Sequence, residues 1–512
     1  MMKKHSCLYF SYSAMTLVFK LGIVFAAFSL TALENSAHTG PDIQQSDANA
    51  AHRPNFVFVM VDDMAPDAIF HNRFKFLDLP HLESLATEGA VFNNMLVTTS
   101  LCSPSRASIL TGTYSHVHGV RYNEIQDPEP HLEQFPQALQ KVGYKTALVG
   151  KWHMAHHARP RPGFDYWLSF KGQGVYNDPE LNINGEVVQM DGYITDILTD
   201  KTIEFIESSP DDPFCVLLWH KACHAPFTPA ARHQDAMADA EFEMPESWMI
   251  DFSESPLWRR RSNLYGEHYS KWVASEGKPV PDRIPPRAWS KKDTGKLNML
   301  RCLMAVDESL GQVIDCLKKE GKLEQTVIVF MADNGWFFGE QRKGDKRLAY
   351  EESIRVPFAM RYPEMLSGGT QFDGLVANID IAPTFLELAG ASTPSTMQGA
   401  SFVPVMTGQA EGRQEPFLYA YYQEKYAPAI PTMLAIRIPG WKYISYPYES
   451  AAQGNFDELY NLGQDPHEMD NLIHSPEYAG QLVKMQKMLQ KALKKYDYTE
   501  PPYKYVAPTA AK

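Results

Sequence analysis

The sequence predicts an α/β protein with a mostly parallel central sheet flanked by helices and a smaller C-terminal α/β subdomain. Residues 55–61 (NFVFVMV), 214–219 (FCVLLW) and 326–332 (TVIVFMA) are uninterrupted apolar runs, the pattern of strands buried on both faces. A shorter strand candidate covers 146–149, and helical patterns fall at 81–88, 105–110, 132–141, 195–207 and 296–320. Strands alternating with helices build layered α/β domains.

The long helix predicted over 296–320 carries Leu297, Leu300, Met304, Val306, Leu310, Val313 and Leu317 at near-helical spacing. Residues 235–294 break the rhythm. They are rich in Pro, Trp, Arg and Lys, include Arg259-Arg260-Arg261, and read as a surface insertion. Such a charge run is a solvated face or a collector of anionic polymer. Residues 390–401 (GASTPSTMQGAS) read as a linker, 415–446 as strand-rich and aromatic, and 478–496 as an amphipathic helix.

The N-terminus has the form of an export signal. Lys3 and Lys4 precede a short apolar core, 21–33, which follows Lys20 and ends in small residues, with cleavage expected after Ala32 or Ala37. A spanning helix needs about 20 apolar residues, so the expectation is a cleaved signal and a periplasmic or secreted protein that meets the membrane only during export, with an uncleaved anchor as the alternative. The predicted organisation is a signal over 1–37, a disordered leader over 38–51, a catalytic domain over 52–408 and a C-terminal subdomain over 409–512. No Asn-x-Ser/Thr sequon occurs, which favours bacterial export.

Composition narrows the function. The 48 basic and 61 acidic side chains among 512 residues give a net charge of −13, which disfavours nucleic acid as a partner. An anionic substrate would need a local basic pocket. A hydrophobic content of 44% excludes a wholly disordered chain, and six cysteines exclude a disulfide-dense scaffold. Cys215 lies near Cys223, and Cys302 near Cys316; disulfides and free buried thiols both fit.

Two apolar strands end in hard oxygen donors: the first in Asp62-Asp63, the second in Asp333-Asn334-Gly335. Ligands of parallel sheets bind at carboxyl ends of strands, so these residues predict one shared cation. An all-oxygen set suits Ca²⁺ or Mg²⁺ better than zinc. A double-zinc phosphohydrolase would carry a histidine where Asn334 and Gly335 stand. Between them lies LCSPSRASILTG, residues 101–112. Pro104 suits the first turn of a helix, which puts Cys102 where free N–H groups favour negative charge. Arg106 lies four residues on, toward the same side. The cysteine-phosphatase loop needs a wider Cys–Arg spacing than this.

Cys102-Ser103-Pro104-Ser105-Arg106 followed by Leu110-Thr111-Gly112 resembles the signature of the type I sulfatases, of alkaline phosphatase-like fold. The likeness runs from Asn55 to Glu458-Leu459-Tyr460-Asn461-Leu462 and Asp465-Pro466. It implies that a maturation enzyme oxidises Cys102 to formylglycine, whose hydrate is the nucleophile: one hydroxyl attacks and the second later releases the sulfate. It implies Ca²⁺ bound by Asp62, Asp63, residue 102, Asp333 and Asn334, with Asp333 accepting the attacking hydroxyl's proton. Gly150-Lys151-Trp152-His153 resembles a family segment in which Lys151, with Arg106, steadies the nucleophile and His153 takes the proton that expels sulfate. Ala222-Cys223-His224-Ala225-Pro226-Phe227 resembles another, which makes His224 the donor to the leaving alcohol, with Cys223 where proline is common. Asp345-Lys346 resembles the segment whose lysine contacts sulfate.

The physical demands agree. Sulfate ester hydrolysis loads negative charge on the equatorial and leaving oxygens, which call for cations and a proton donor. Taken singly, Lys151 and Lys346 read as surface lysines, His153, His156 and His157 as an adventitious metal cluster, and His220 as a core histidine; their order in the chain favours the catalytic reading. Residues 163–167, 172–174 and 182–185 resemble exported bacterial sulfatases of sulfated sugars, especially glucosamine-6-sulfatases. Tyr419, Tyr421, Tyr422, Lys425 and Tyr426 are expected at a sugar pocket's edge, or else in a strand with one packed face. The rival functions are a phosphate or phosphonate monoester hydrolase and a non-catalytic sulfated-glycan binder.

Overall fold

The computed structural model describes residues 53–123, 126–155, 157–209, 211–250, 289–424, 427, 430–448 and 456–500. The export signal, the leader, Arg259–Arg261, His156, Lys425 and Tyr426 lie outside the described residues.

One large sheet runs through the molecule. Its strands are β1 (Asn55–Val61), β2 (Ala90–Leu96), β3 (Lys145–Gly150), β4 (Tyr166–Ser169), β5 (Glu180–Ile183), β6 (Glu186–Gln189), β7 (Phe214–Trp219), β8 (Thr326–Ala332), β9 (Arg355–Val356), β10 (Phe358–Arg361) and β11 (Thr370–Ala377). The order is β11-β2-β10-β8-β1-β7-β3-β4-β5-β6, with β9 beside the end of β2. The centre, β8-β1-β7-β3-β4, is parallel throughout; β10, β9, β5 and β6 pair antiparallel with their neighbours. The predicted mostly parallel α/β sheet is therefore present. The three apolar runs are its three central strands, where both faces are covered and alternation would bury polar groups.

The main helices are α1 (Pro80–Glu88), α2 (Cys102–Thr111), α3 (Phe135–Lys141), α4 (Ile194–Glu207), α5 (Thr294–Lys319), α6 (Ile381–Leu388) and α7 (Ala479–Lys495). On one face of β1, Phe56 stacks on Phe385 of α6 at 4.7 Å, Phe58 meets the same ring edge-on, and Phe135 of α3 closes over it. α5 starts where Asp293 accepts from the N–H groups of Gly295 and Lys296, and it ends in Lys318 and Lys319, which suits the helix dipole. Its Asp307 accepts from the N–H of Leu82 at 2.7 Å, capping α1 from a neighbouring helix.

A second sheet, β12 (Phe417–Tyr421), β13 (Met433–Ile438), β14 (Trp441–Ser445) and β15 (Glu458–Asn461), is antiparallel in sequence order. Tyr419, Tyr421 and Tyr422 are wholly buried in its core with Leu96, Leu101 and Tyr350, so they do not edge a pocket. The Tyr419 hydroxyl donates to Arg347 O at 2.6 Å, bracing the residue after Lys346. Two further expectations are corrected. The 390–401 stretch is no free linker: the N–H groups of Gln398 and Gly399 both donate to Gly112 O, at the end of α2. The described ends of the 235–294 insertion are not wholly surface, because Phe242 is buried against Phe74 and Phe76 and accepts from Trp289 Nε1. Cys102, Cys215, Cys223, Cys302 and Cys316 are all free and buried. Among the described residues no helix is long and apolar enough to cross a membrane.

Candidate active site

Strand register assembles the site. Val61 pairs with Ala332, while Met60 and Gly150 both pair with Trp219. The residues that follow therefore leave the sheet at one edge, the carboxyl end where ligands of parallel sheets bind. The backbone ladder runs one step further: Asp333 N donates to Val61 O at 3.0 Å, His220 N to Met60 O at 2.8 Å, and Lys151 N to Trp219 O at 2.7 Å. Gly150 has φ +128, and a Cβ there would stand 1.9 Å from Trp219 O. Gly150→Ala is expected to destabilise the fold by roughly 3 kcal/mol, read by urea unfolding, because β3 cannot both bear a side chain and keep Lys151 in place.

α2 begins at Cys102, three residues before the predicted start, since Pro104 is compatible with a first turn whose N–H groups have no helical partner. Ser108 fixes the helix through contacts at 3.1 Å with Thr98 Oγ1 and His118 Nε2. Asn378 Nδ2 donates to Ser105 Oγ at 3.0 Å. Gly112 closes the helix in the left-handed region at φ 62 and donates to Ser108 O.

At the N-terminus of α2, ligand atoms of Asp62, Asp63, Cys102 and Asp333 all lie within 4.8 Å of one another. Cys102 Sγ donates to Asp62 Oδ1 at 3.1 Å and accepts from Lys346 Nζ at 2.9 Å. Lys151 Nζ is closely hydrogen-bonded to Asp62 Oδ2, and Lys346 Nζ to Asp63 Oδ1. Arg106 donates from Nε to Asp333 Oδ2 at 3.0 Å and from Nη1 to Lys151 O at 2.6 Å, and its guanidinium lies over Trp219. Asp63 N donates to Asp333 Oδ1 at 3.2 Å, and Asn334 Nδ2 to Asp63 Oδ1 at 2.7 Å. Three carboxylates thus face three cations, all buried.

Protonation follows from burial and these partners. Burial pushes Asp333 up to about 6, with Asp62 adding to it against the pull of Arg106, Lys151 and Lys346. Burial also raises Asp62, but Lys151, His224, Lys346 and Arg106 together hold it well below the ordinary carboxylate range. The Cys102 thiol is driven far up, by burial first and by Asp62 next, so as a cysteine it is a protonated, weak nucleophile. Burial opposes charge on Lys346, yet Asp63, Cys102, Asp62 and Asp333 keep it firmly protonated.

Two histidines flank the cluster. Ser103 Oγ donates to His153 O at 2.7 Å and lies 3.2 Å from His153 Nδ1. With the hydroxyl proton committed to the carbonyl, Nδ1 is the donor and Nε2 is left free to accept. Burial, then Lys151, depresses His153 well below its ordinary value. His224 Nδ1 lies 2.7 Å from Ala225 O, which can only accept, so this nitrogen also carries the proton. Its Nε2 lies 3.9 Å from Asp63 Oδ2, and burial lowers it to about 4. His220 is wholly buried against Ser309, a core histidine, and His157 is exposed.

The ten residues given catalytic or metal-binding roles from the sequence therefore converge on one sheet edge. Ser103, which orients His153, and Lys221, buried beside His224, were not singled out. Lys221 is the second residue after β7, the position that Asp63 holds after β1 and Asn334 after β8, so the strand-end rule that flagged those two applies to it as well.

The residues fit a hard divalent cation. Ca²⁺ takes oxygen ligands at about 2.3–2.6 Å, so ligands on opposite sides of one ion stand about 5 Å apart, which a 4.8 Å cluster matches. Asn334 Oδ1 is buried with no hydrogen-bond partner among the described residues, an acceptor left over for such an ion. Cys102 Sγ occupies the place that an oxygen of a formylglycine would take.

Comparisons with known proteins identify the family and the fold. The sulfatase family model matches residues 54–391, and a model for the C-terminal part of N-sulphoglucosamine sulphohydrolase matches 339–496. An N-acetylglucosamine-6-O-sulfatase of Bacteroides thetaiotaomicron is 31% identical over 498 residues, covering 88% of each chain. The N-acetylglucosamine-6-sulfatase of Capra hircus is 28% identical, covering 86% of this chain and 84% of its own. A solved structure bound to its substrate D-glucosamine-2-N,6-O-disulfate aligns with TM-score 0.75 and 30% identity, over 87% of this chain and 98% of that one. The phosphonate monoester hydrolase of Agrobacterium radiobacter shares the fold, at TM-score 0.67 and 18% identity over 87% of this chain and 96% of that one. The site geometry and the extent of these matches lead to one conclusion: the chain belongs to the sulfatase family, the sulfuric ester hydrolases.

Proposed function

We propose that this protein is an exported enzyme that hydrolyses a sulfate ester on a carbohydrate, the 6-O-sulfate of a glucosamine-type sugar being the first candidate. The observation that carries the reading is the meeting of Asp62, Asp63, Cys102 and Asp333 within 4.8 Å, ringed by Lys151, Lys346 and Arg106. The 6-O-sulfatase relatives support the sugar, and the Lys-rich, then apolar N-terminus supports export.

In this reading Cys102 is matured to formylglycine, whose hydrate supplies the attacking hydroxyl. Asp62, Asp63, Asp333, Asn334 and residue 102 would hold Ca²⁺, which would supply a fixed positive charge beside the sulfate group. Arg106 and Lys151 steady the nucleophile, and Lys346 holds the sulfate. Asp333 accepts the proton of the attacking group. The negative sulfate ester favours the protonated form of His224, whose Nε2 then gives its proton to the departing sugar oxygen. His153 Nε2 takes the proton that accompanies sulfate release.

Cys102 is wholly buried, so a maturation enzyme would have to reach it before the domain closes. The test is sulfate release from defined sulfated sugars by protein whose intact mass shows the oxidised residue, against a phosphate monoester in parallel. Release of inorganic sulfate, lost on chelation and restored by Ca²⁺, is the expected result. Chelated protein should still unfold cooperatively, because the three carboxylates keep their three cationic partners. Matured protein that cleaves only the phosphate ester would overturn the proposal.

A further inference from the structure

We infer that Tyr176 is a positioning residue for His224, the anchor of a three-point grip on the loop that carries it. The inference rests on His224 acting as proton donor, as proposed above. The loop runs from the end of β7 through 224–228, where Ala225 and Pro226 are exposed, and it has no regular secondary structure of its own. Main-chain bonds tie its first part, from His224 N to Lys221 O and between Asp62 and residues 222 and 223, and side chains hold its carbonyls further on.

The carbonyls of His224, Ala225 and Thr228 are held by Tyr176, Lys221 and Tyr193. The Tyr176 hydroxyl donates to His224 O at 2.7 Å. The Tyr193 hydroxyl donates to Thr228 O at 3.1 Å. Lys221 Nζ reaches Ala225 O at 3.5 Å, the oxygen that also takes the His224 Nδ1 proton. The grip is one unit: the rings of Tyr176 and Tyr193 stack at 5.8 Å, Asn177 and Tyr193 form a bridge, and Lys221 Nζ lies 4.5 Å over the Tyr176 ring. Cys302 of α5 contacts both hydroxyls. Tyr176 and Lys221 are buried, so the grip is a core feature.

The consequence for catalysis is geometric. His224 Nε2 delivers its proton to the sugar oxygen as the S–O bond to the sugar breaks, and the transfer is sensitive to ring placement. A bond donated to the histidine's own carbonyl fixes its Cα. The bond from Nδ1 to Ala225 O then sets the ring angle, and Lys221 holds that acceptor still. Removing the Tyr176 hydroxyl alone keeps ring stacking but releases the carbonyl of His224, leaving its N–H bond to Lys221 O in place.

The experiment uses matured full-length protein and two substrates: glucosamine 6-sulfate, whose alcohol leaves only with a proton, and 4-nitrophenyl sulfate, whose phenolate leaves without one. Tyr176→Phe is expected to lower kcat about tenfold on the sugar and less than about twofold on the aryl ester. His224→Ala should shift the same ratio further, and adding Tyr176→Phe to it should change the ratio no more. Equal losses on both substrates, or a further shift in the His224→Ala background, overturns the inference. If His224→Ala leaves the ratio unmoved, the donor role falls and the inference with it; if His224→Ala moves it and Tyr176→Phe does not, only the inference falls. Should Tyr176→Phe not fold, Lys221→Met, which frees Ala225 O, is expected to shift the ratio in the same direction, and an unchanged ratio overturns the grip.

Discussion

Cys102→Ser is expected to remove steady-state turnover by about five to six orders of magnitude, the cost of losing a nucleophile. The substitution is nearly isosteric, so the fold should survive: the site is wholly buried, and a serine hydroxyl can keep the bonds to Asp62 and Lys346. What disappears is chemistry. A serine could attack a sulfate ester but has no second hydroxyl to expel the product, so the intact mass of the incubated variant should show one retained sulfate. Unconverted wild-type protein should be equally silent, because burial and Asp62 keep its thiol protonated. A Cys102→Ser protein that turns over sugar sulfate at the wild-type rate would remove residue 102 from the reaction.

Lys346→Ala is expected to lower kcat/KM by about two to three orders of magnitude, as for one preorganised group that stabilises developing charge. Lys346 is buried, firmly charged and bonded to both Asp63 and Cys102. Its loss leaves Asp62, Asp63 and Asp333 facing only Arg106 and Lys151. The same variant should therefore need less Ca²⁺ for half-maximal activity while turning over more slowly, an opposite movement that simple misfolding does not produce. Lys346→Arg should not restore the rate, because a planar fork cannot replace a point charge between Asp63 and Cys102. Unchanged steady-state kinetics in Lys346→Ala would take the residue out of the site.

The core of the fold was legible because β1, β7 and β8 are buried on both faces and so are written as unbroken apolar runs. Of its flanks, β3 was legible as the run 146–149, and the rest was not. β2 reads AVFNNML, and its two asparagines break the run because they face Asp373 on the neighbouring strand. The site was legible where polar residues follow an apolar run, as at Asp62 and Asp333. Lys346 lies in a loop with no such marker and was found only by resemblance. The aromatic stretch at 419–422 was ambiguous in sequence, since tyrosine suits a sugar face and a packed strand equally; packing won. Tyr176 and Tyr193 act through hydroxyl groups on main-chain oxygens, a role that leaves no pattern in the residues that receive the bond.

The order of strands has a consequence for biosynthesis. β1 is made early, yet its neighbours β7 and β8 begin at Phe214 and Thr326. A growing chain therefore carries an apolar ribbon with both edges unpaired until β7 emerges, and with one edge still unpaired until β8 follows, past the middle of the chain. Truncations ending before residue 326 should be sticky rather than merely inactive. The same delay keeps the cluster around Cys102 open until Asp333 arrives, and on the maturation proposed above it is the interval in which a modifying enzyme would act.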